Sequence, residues 1–134
     1  MKFLALDLGD RWIGSATSDV LGIAAKPHIT IEKKNIIQFL KKTFSSESIS
    51  KVIVGYPKTL RGTESEQTKK VINEKNRLEA SFPEKEWVLW DEKFSSQYAS
   101  KLKKTKDVNQ RSHSVAAAFI LQSYLDHLQF KSTL

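Results

Sequence analysis

The stretch from Lys2 to Asp19, KFLALDLGDRWIGSATSD, constrains this chain more than any other. An apolar run, Phe3-Leu4-Ala5-Leu6, ends on a carboxylate, Asp7. Leu8, Gly9 and Asp10 then form a turn, since Gly tolerates positive φ and Asp caps its own backbone. Trp12 to Thr17 runs outward again as a second strand. A carboxylate at the end of a central strand sits at the rim of a buried sheet, where it is costly unless paired or metal-bound. An isolated Asp-x-Gly more often just caps its turn, so the remainder of the chain has to decide what Asp7 does.

At 134 residues the chain has the length of one domain, 1–134, with enough mass for a single core. No apolar run approaches a membrane span, and Met1-Lys2-Phe3 leads straight into a strand rather than a signal peptide, so a cytoplasmic location without membrane partners is expected. The absence of cysteine removes disulfides, thiolate metal sites and a Cys nucleophile, which leaves carboxylate or imidazole for any metal. A formal charge of +7 and a pI near 9.6 favour a polyanionic partner. That charge is concentrated. Lys93, Lys101, Lys103, Lys104, Lys106 and Arg111 face a single acid, Asp107, over Lys93 to Arg111, although a solvated helix end would also collect lysines.

Leu21-Gly22 turns the chain into Ile23 to Ile31, where Pro27 cannot donate to a ladder and so predicts an edge strand with a break. Asn35 to Phe44 carries Ile36, Ile37, Leu40 and Phe44 at helical spacing. Lys51 to Tyr56 is a continuous apolar run ended by Pro57, the pattern of a strand buried on both faces. Thr63-Glu64-Ser65-Glu66 reads as a capping box for a helix running to Ser81 that buries Val71, Ile72 and Leu78. Trp87 to Trp90 is another buried strand, and it too ends on acids, Asp91-Glu92. A short helix capped by Ser95 or Ser96 follows, then an apolar helix from Ser114 to Gln129 with Val115, Ala116, Phe119, Ile120 and Leu128 set against the sheet. Right-handed crossovers make strands one, four and five parallel neighbours, with two and three folded back antiparallel. Sites in such sheets form at the carboxyl ends of the parallel strands, so Asp7 and Asp91-Glu92 should share one rim. That convergence shifts Asp7 from turn capping toward chemistry.

Four blocks carry a resemblance. Asp7-Leu8-Gly9 with Ile13-Gly14-Ser15-Ala16 and Ser18-Asp19, then Val52-Ile53-Val54-Gly55-Tyr56-Pro57 with Gly62-Thr63, resemble the first two signatures of the YqgF family. Asp91-Glu92-Lys93-Phe94-Ser95-Ser96 and the helix from Ser114 to Asp126 are similar to its last two. The family is also described as RuvX-type Holliday-junction resolvases or pre-16S rRNA nucleases. The resemblance implies a ribonuclease-H-like α/β fold: a five-stranded mixed sheet, three antiparallel then parallel strands, flanked by helices. It also implies a metal-dependent nuclease that trims the 5′ end of precursor 16S rRNA. Three positions depart from the family pattern: Lys93 replaces Arg, Ser95-Ser96 replace two threonines, and His113 stands where the family has its third metal-binding Asp.

Phosphodiester hydrolysis by this route uses two divalent ions held by clustered carboxylates, and oxygen ligands suit Mg2+ or Mn2+. The resemblance assigns Asp7 as bridging ligand and Glu92 as second ligand, with Asp91 in reserve because strand alternation lets one of the pair face the site. Two readings of His113 stand side by side: a neutral imidazole ligand completing the catalytic set, or a residue that solvates the start of the last helix. Arg11, Lys93, Lys101, Lys103, Lys104, Lys106 and Arg111 are the expected contacts to nucleic acid, a structured RNA such as precursor rRNA or, alternatively, branched DNA. A rival function is a binding module of the same fold with weakened catalysis. A second rival, a nucleotide-binding ATPase suggested by Asp-x-Gly, lacks the room for a second lobe.

Overall fold

The β1–β2 hairpin forms as its pattern requires, and the rest of the sheet is laid beside it. A computed structural model describes residues 2–57, 65–92 and 110–133, with the side chains of 110–112, 132 and 133 not described. The strands are β1 (Lys2–Leu8), β2 (Trp12–Ser18), β3 (Ala25–Glu32), β4 (Ile49–Tyr56) and β5 (Glu86–Asp91). The helices are α1 (Ile36–Ser46), α2 (Glu66–Ser81) and α3 (Gln110–Thr133), with a 3-10 turn at Lys33–Asn35. The sheet order is β3-β2-β1-β4-β5, with β1, β4 and β5 parallel and β2 and β3 antiparallel to their neighbours. This is the expected ribonuclease-H-like arrangement. β3 takes the edge, and its pairing with β2 slips between Gly14 and Ala16, next to Pro27, as a proline without an N–H demands.

Strand alternation sends side chains to two different layers. Leu4, Leu6, Leu8, Ile13, Val52 and Val54 pack with Ile36 and Leu40 of α1 and with Val71 and Leu78 of α2. Ala5, Ala16 and Ile53 face the other way and pack with Ala117, Ala118, Ile120, Leu121 and Leu125 of α3. Three consecutive residues fix α3 over the strands. Gln122 Oε1 accepts from Ala25 N at 2.9 Å, Ser123 Oγ accepts from Trp90 Nε1 at 2.8 Å, and Tyr124 OH accepts from Lys51 Nζ at 2.9 Å.

Several boundaries differ from the sequence expectation. β3 begins at Ala25 rather than Ile23, because Asp19 closes the preceding turn by accepting from Ile23 N. The cap of α2 is Ser65, whose extended backbone and hydroxyl acceptance from Thr68 N at 3.1 Å place the helix start after Thr63. Ile72 is half-buried while Val71 and Leu78 are buried. α3 is longer than predicted, and its buried face runs through Ser114, Ala117, Ala118, Leu121 and Leu125 with Ile120, leaving Val115, Ala116 and Phe119 partly exposed. The predicted helix after Ser95 lies outside the described residues, as does Thr63.

Candidate active site at the carboxylate rim

Asp7 lies one residue from the end of β1, opposite Gly14 of β2, on the face toward α3. Glu92 follows the last residue of β5, which pairs with Tyr56 of β4. On β5, Val88 and Trp90 belong to the α3 side, whereas Trp87 and Leu89 belong to the α1–α2 side. Alternation therefore turns Glu92 toward Asp7, and Asp91, which is buried, toward the opposite face.

Two glycines make the space. A Cβ at position 14 would overlap the His113 carbonyl and stand 2.7 Å from Ser114 N, so only Gly14 lets the first turn of α3 rest on β2. A Cβ at position 55 would overlap Ile120 Cδ1 and press on Glu92 Cγ at 3.2 Å. Sequence reasoning used both glycines as family marks and missed this role. Their placement inside strands, where Gly is unfavourable, is the signal for close approach.

The close approach brings His113 to the rim. Its Nδ1 is 3.7 Å from Asp7 Oδ2, an electrostatic contact longer than a good hydrogen bond. The Asp7 and Glu92 carboxyls lie close enough to shift one another. Burial, reinforced by the Asp7 charge, pushes the Glu92 carboxyl up to about 7. Burial also raises Asp7, and His113 first and Glu92 second pull it part of the way back. With no cation present, burial and the Asp7 charge favour the protonated form of Glu92.

The donors fit a divalent cation in kind: two carboxylates that together release a proton, and an imidazole beside them. Among the described residues no group of three His, Asp or Glu side chains already stands in a metal-holding arrangement. Of the other candidates, Arg11 is exposed on the β1–β2 turn. Lys93, Lys101, Lys103, Lys104 and Lys106 lie outside the described residues, and the Arg111 side chain is not described. Asp10 faces Lys70 at 3.8 Å, His28 lies beside Phe39, and His127 lies beside Trp90, so none of the three joins the rim.

Sheet order, helix placement and acids at the ends of the first and fifth strands define the ribonuclease-H-like class. The chain belongs to the RuvX family, whose model, described as "Holliday junction resolvase", matches residues 1–127. A Sulfurihydrogenibium sp. protein named "Putative pre-16S rRNA nuclease" is 35% identical, the match covering 98% of this chain and 94% of the relative. One of the same name from Clostridium novyi is 37% identical over 96% of this chain and 100% of the relative. In structure, T. thermophilus RuvC in complex with Holliday junction substrate superposes with a TM-score of 0.66 at 15% identity, covering 97% of this chain and 96% of that one. At that identity the likeness shows the fold. The family is one of nucleases. Among the described residues, no helix is long and apolar enough to cross a membrane.

Proposed function

We propose that this chain is a metal-dependent nuclease, a single domain of the cytoplasm, that hydrolyses phosphodiester bonds in structured RNA and processes the 5′ end of precursor 16S rRNA. The observation that carries the reading is the meeting of Asp7 and Glu92, two acids more than eighty residues apart that the fold brings close enough for the Asp7 charge to raise the Glu92 carboxyl. Asp7 and Glu92 would hold Mg2+ or Mn2+, with His113 as third donor. Such ions, in the two-metal pattern, would supply an activated water and neutralise charge on the leaving oxygen. Asp91, on the far face, acts on Glu92 through its charge. Arg11, Lys93, Lys101, Lys103, Lys104, Lys106 and Arg111 position the substrate by its phosphates. The relatives' names support rRNA as substrate, and the RuvC likeness makes branched DNA the comparison substrate.

A second reading, a binding module with weakened catalysis, is favoured by His113 at the position of the family's third acid. One experiment separates them: cleavage of a structured precursor rRNA fragment by the parent, Asp7→Asn and His113→Ala in manganese. On the nuclease reading the parent cleaves, and Asp7→Asn falls at least about 100-fold, since even supporting residues of a metal site are worth 10–100-fold. RNA binding survives in that variant. A parent that binds without cleaving, or an Asp7→Asn protein as active as the parent, overturns the nuclease reading.

A further inference from the structure

Beyond Asp7, at the same rim, stands a side-chain pair that carboxylate chemistry does not use. The Arg11 guanidinium carbon lies 5.3 Å from the centroid of the Trp12 ring, within cation–π range. Arg11 is exposed and Trp12 partly exposed. Trp12 is among the largest side chains of the molecule, yet it belongs to neither hydrophobic cluster. Among the described residues its bulk is therefore set apart from both clusters.

Charge and backbone keep the pair available. Nearby cations are matched by acids: Lys70 with Asp10 at 3.8 Å, Arg77 with Glu74 at 2.7 Å and Lys34 with Glu32 at 3.6 Å. No described carboxylate forms an ion pair with Arg11, whose guanidinium lies over the Trp12 ring instead. The turn that carries it is fixed by Lys33 N donating to Arg11 O at 2.8 Å.

Position gives the pair a role. Gly14, opposite Asp7, faces α3, so strand alternation places Trp12 on that same face. Its Cα is two residues further toward the rim, ~7 Å along the strand. A nucleic acid strand with a phosphate at Asp7 and Glu92 that continues toward β2 would carry its next nucleotide over Trp12.

We propose that Trp12, with Arg11 lying on it, is a stacking platform for the base adjacent to the scissile phosphate. The substrate must then present an unpaired base at that position. A base inside a continuous duplex has both faces covered by its neighbours and has none to offer the ring. An unpaired base stacks on an aromatic or guanidinium plane whatever its identity, so the platform selects for structure rather than sequence. The inference rests on the nuclease reading of the rim, since that reading places the phosphate.

Fluorine NMR on fluorotryptophan-labelled protein tests it in the metal-free Asp7→Asn background, where cleavage cannot intervene. The chain has three tryptophans, and the Trp12 signal is the one lost in Trp12→Phe. Single-stranded oligoadenylate should shift that signal, and an abasic oligomer with the same backbone should not. Trp12→Ala should weaken oligoadenylate about 10-fold, with Phe restoring most of the affinity and a blunt duplex unaffected. Arg11→Ala, a change at an exposed position, should weaken the same oligomer without touching the fold. Oligoadenylate that binds by anisotropy while the Trp12 signal stays still overturns the platform alone, as does equal loss for the blunt duplex. Failure of every nucleic acid to bind overturns the nuclease reading with it.

Discussion

The two faces of the sheet are built to different thicknesses. Toward α1 and α2 the strands present leucine, isoleucine and valine, and Phe82 and Trp87 fill the gaps between layers. Toward α3, β1 and β2 present Ala5, Gly14 and Ala16, met by Ala117 and Ala118, while Ile53 and Trp90 lie on the β4–β5 side of that layer beside Gly55. Large side chains hold a helix away from the strands, and small ones let it settle onto the backbone. The thin layer is the one that brings His113 to within 3.7 Å of Asp7. Asp7 and Glu92 both face it. Apolar burial is greatest on one face and chemistry sits on the other.

The thick face should yield the largest loss of stability and no loss of chemistry. Leu40 is fully buried between α1 and the sheet, and Leu40→Ala should cost about 2–5 kcal/mol through lost transfer energy and the cavity left behind. Denaturant midpoints would give that number, while cleavage per folded molecule stays at the parent level. A matching loss of cleavage would mean the two faces are not separable.

On the thin face the order reverses. Gly14→Ala adds one methyl where the His113 carbonyl already sits, and neither backbone can retreat without lifting the start of α3. Overpacking of this kind costs about 1–3 kcal/mol. Cleavage should fall further than stability does, because His113 moves with the helix. Equal activity in folded Gly14→Ala protein would show that the approach of α3 serves packing alone.

This difference also explains what the sequence could disclose. The order of strands and helices followed from periodicity and turn residues, and the crossover rule then put Asp7 and Asp91-Glu92 on one rim. Choosing between Asp91 and Glu92 needs the facing of β5, and Trp87-Val88-Leu89-Trp90 is apolar on both sides, so alternation had no mark to start from. The rotation of α3 was hidden for a similar reason. Its apolar residues nearly encircle it, and buried Ser114 and Ser123 look like surface positions until their packing is seen. Ser65 capped α2 in place of Thr63 because several hydroxyls compete along one short stretch, and pattern alone does not rank them. The space under Gly14 and Gly55 depends on contacts between residues far apart in the chain, which no local pattern reports.

The smallest effect should come from Glu92 and should carry a pH signature that neither packing variant shows. In the folded chain this carboxyl is raised from 4.5 to about 7, through burial first and the Asp7 charge second. Between those values the folded state holds a proton that the unfolded state has lost. The contribution of Glu92 to the stability of the metal-free protein therefore falls as pH rises through that window, and levels off above it. Glu92→Gln removes the ionisation, keeps the shape and can still donate to Asp7. The variant should match the parent below pH 4.5 and become progressively more stable through the window, reaching about 1 kcal/mol once solvent screening of this partly exposed group is allowed for. Denaturant titrations of chelator-treated protein below and above the window would read this directly. The Leu40→Ala deficit should stay constant across the same range, since it involves no titrating group. A Glu92→Gln difference equally constant with pH would mean that burial and the Asp7 charge do not hold the Glu92 carboxyl raised. The thin face would then have lost the feature that marks it as the place where a cation replaces a proton.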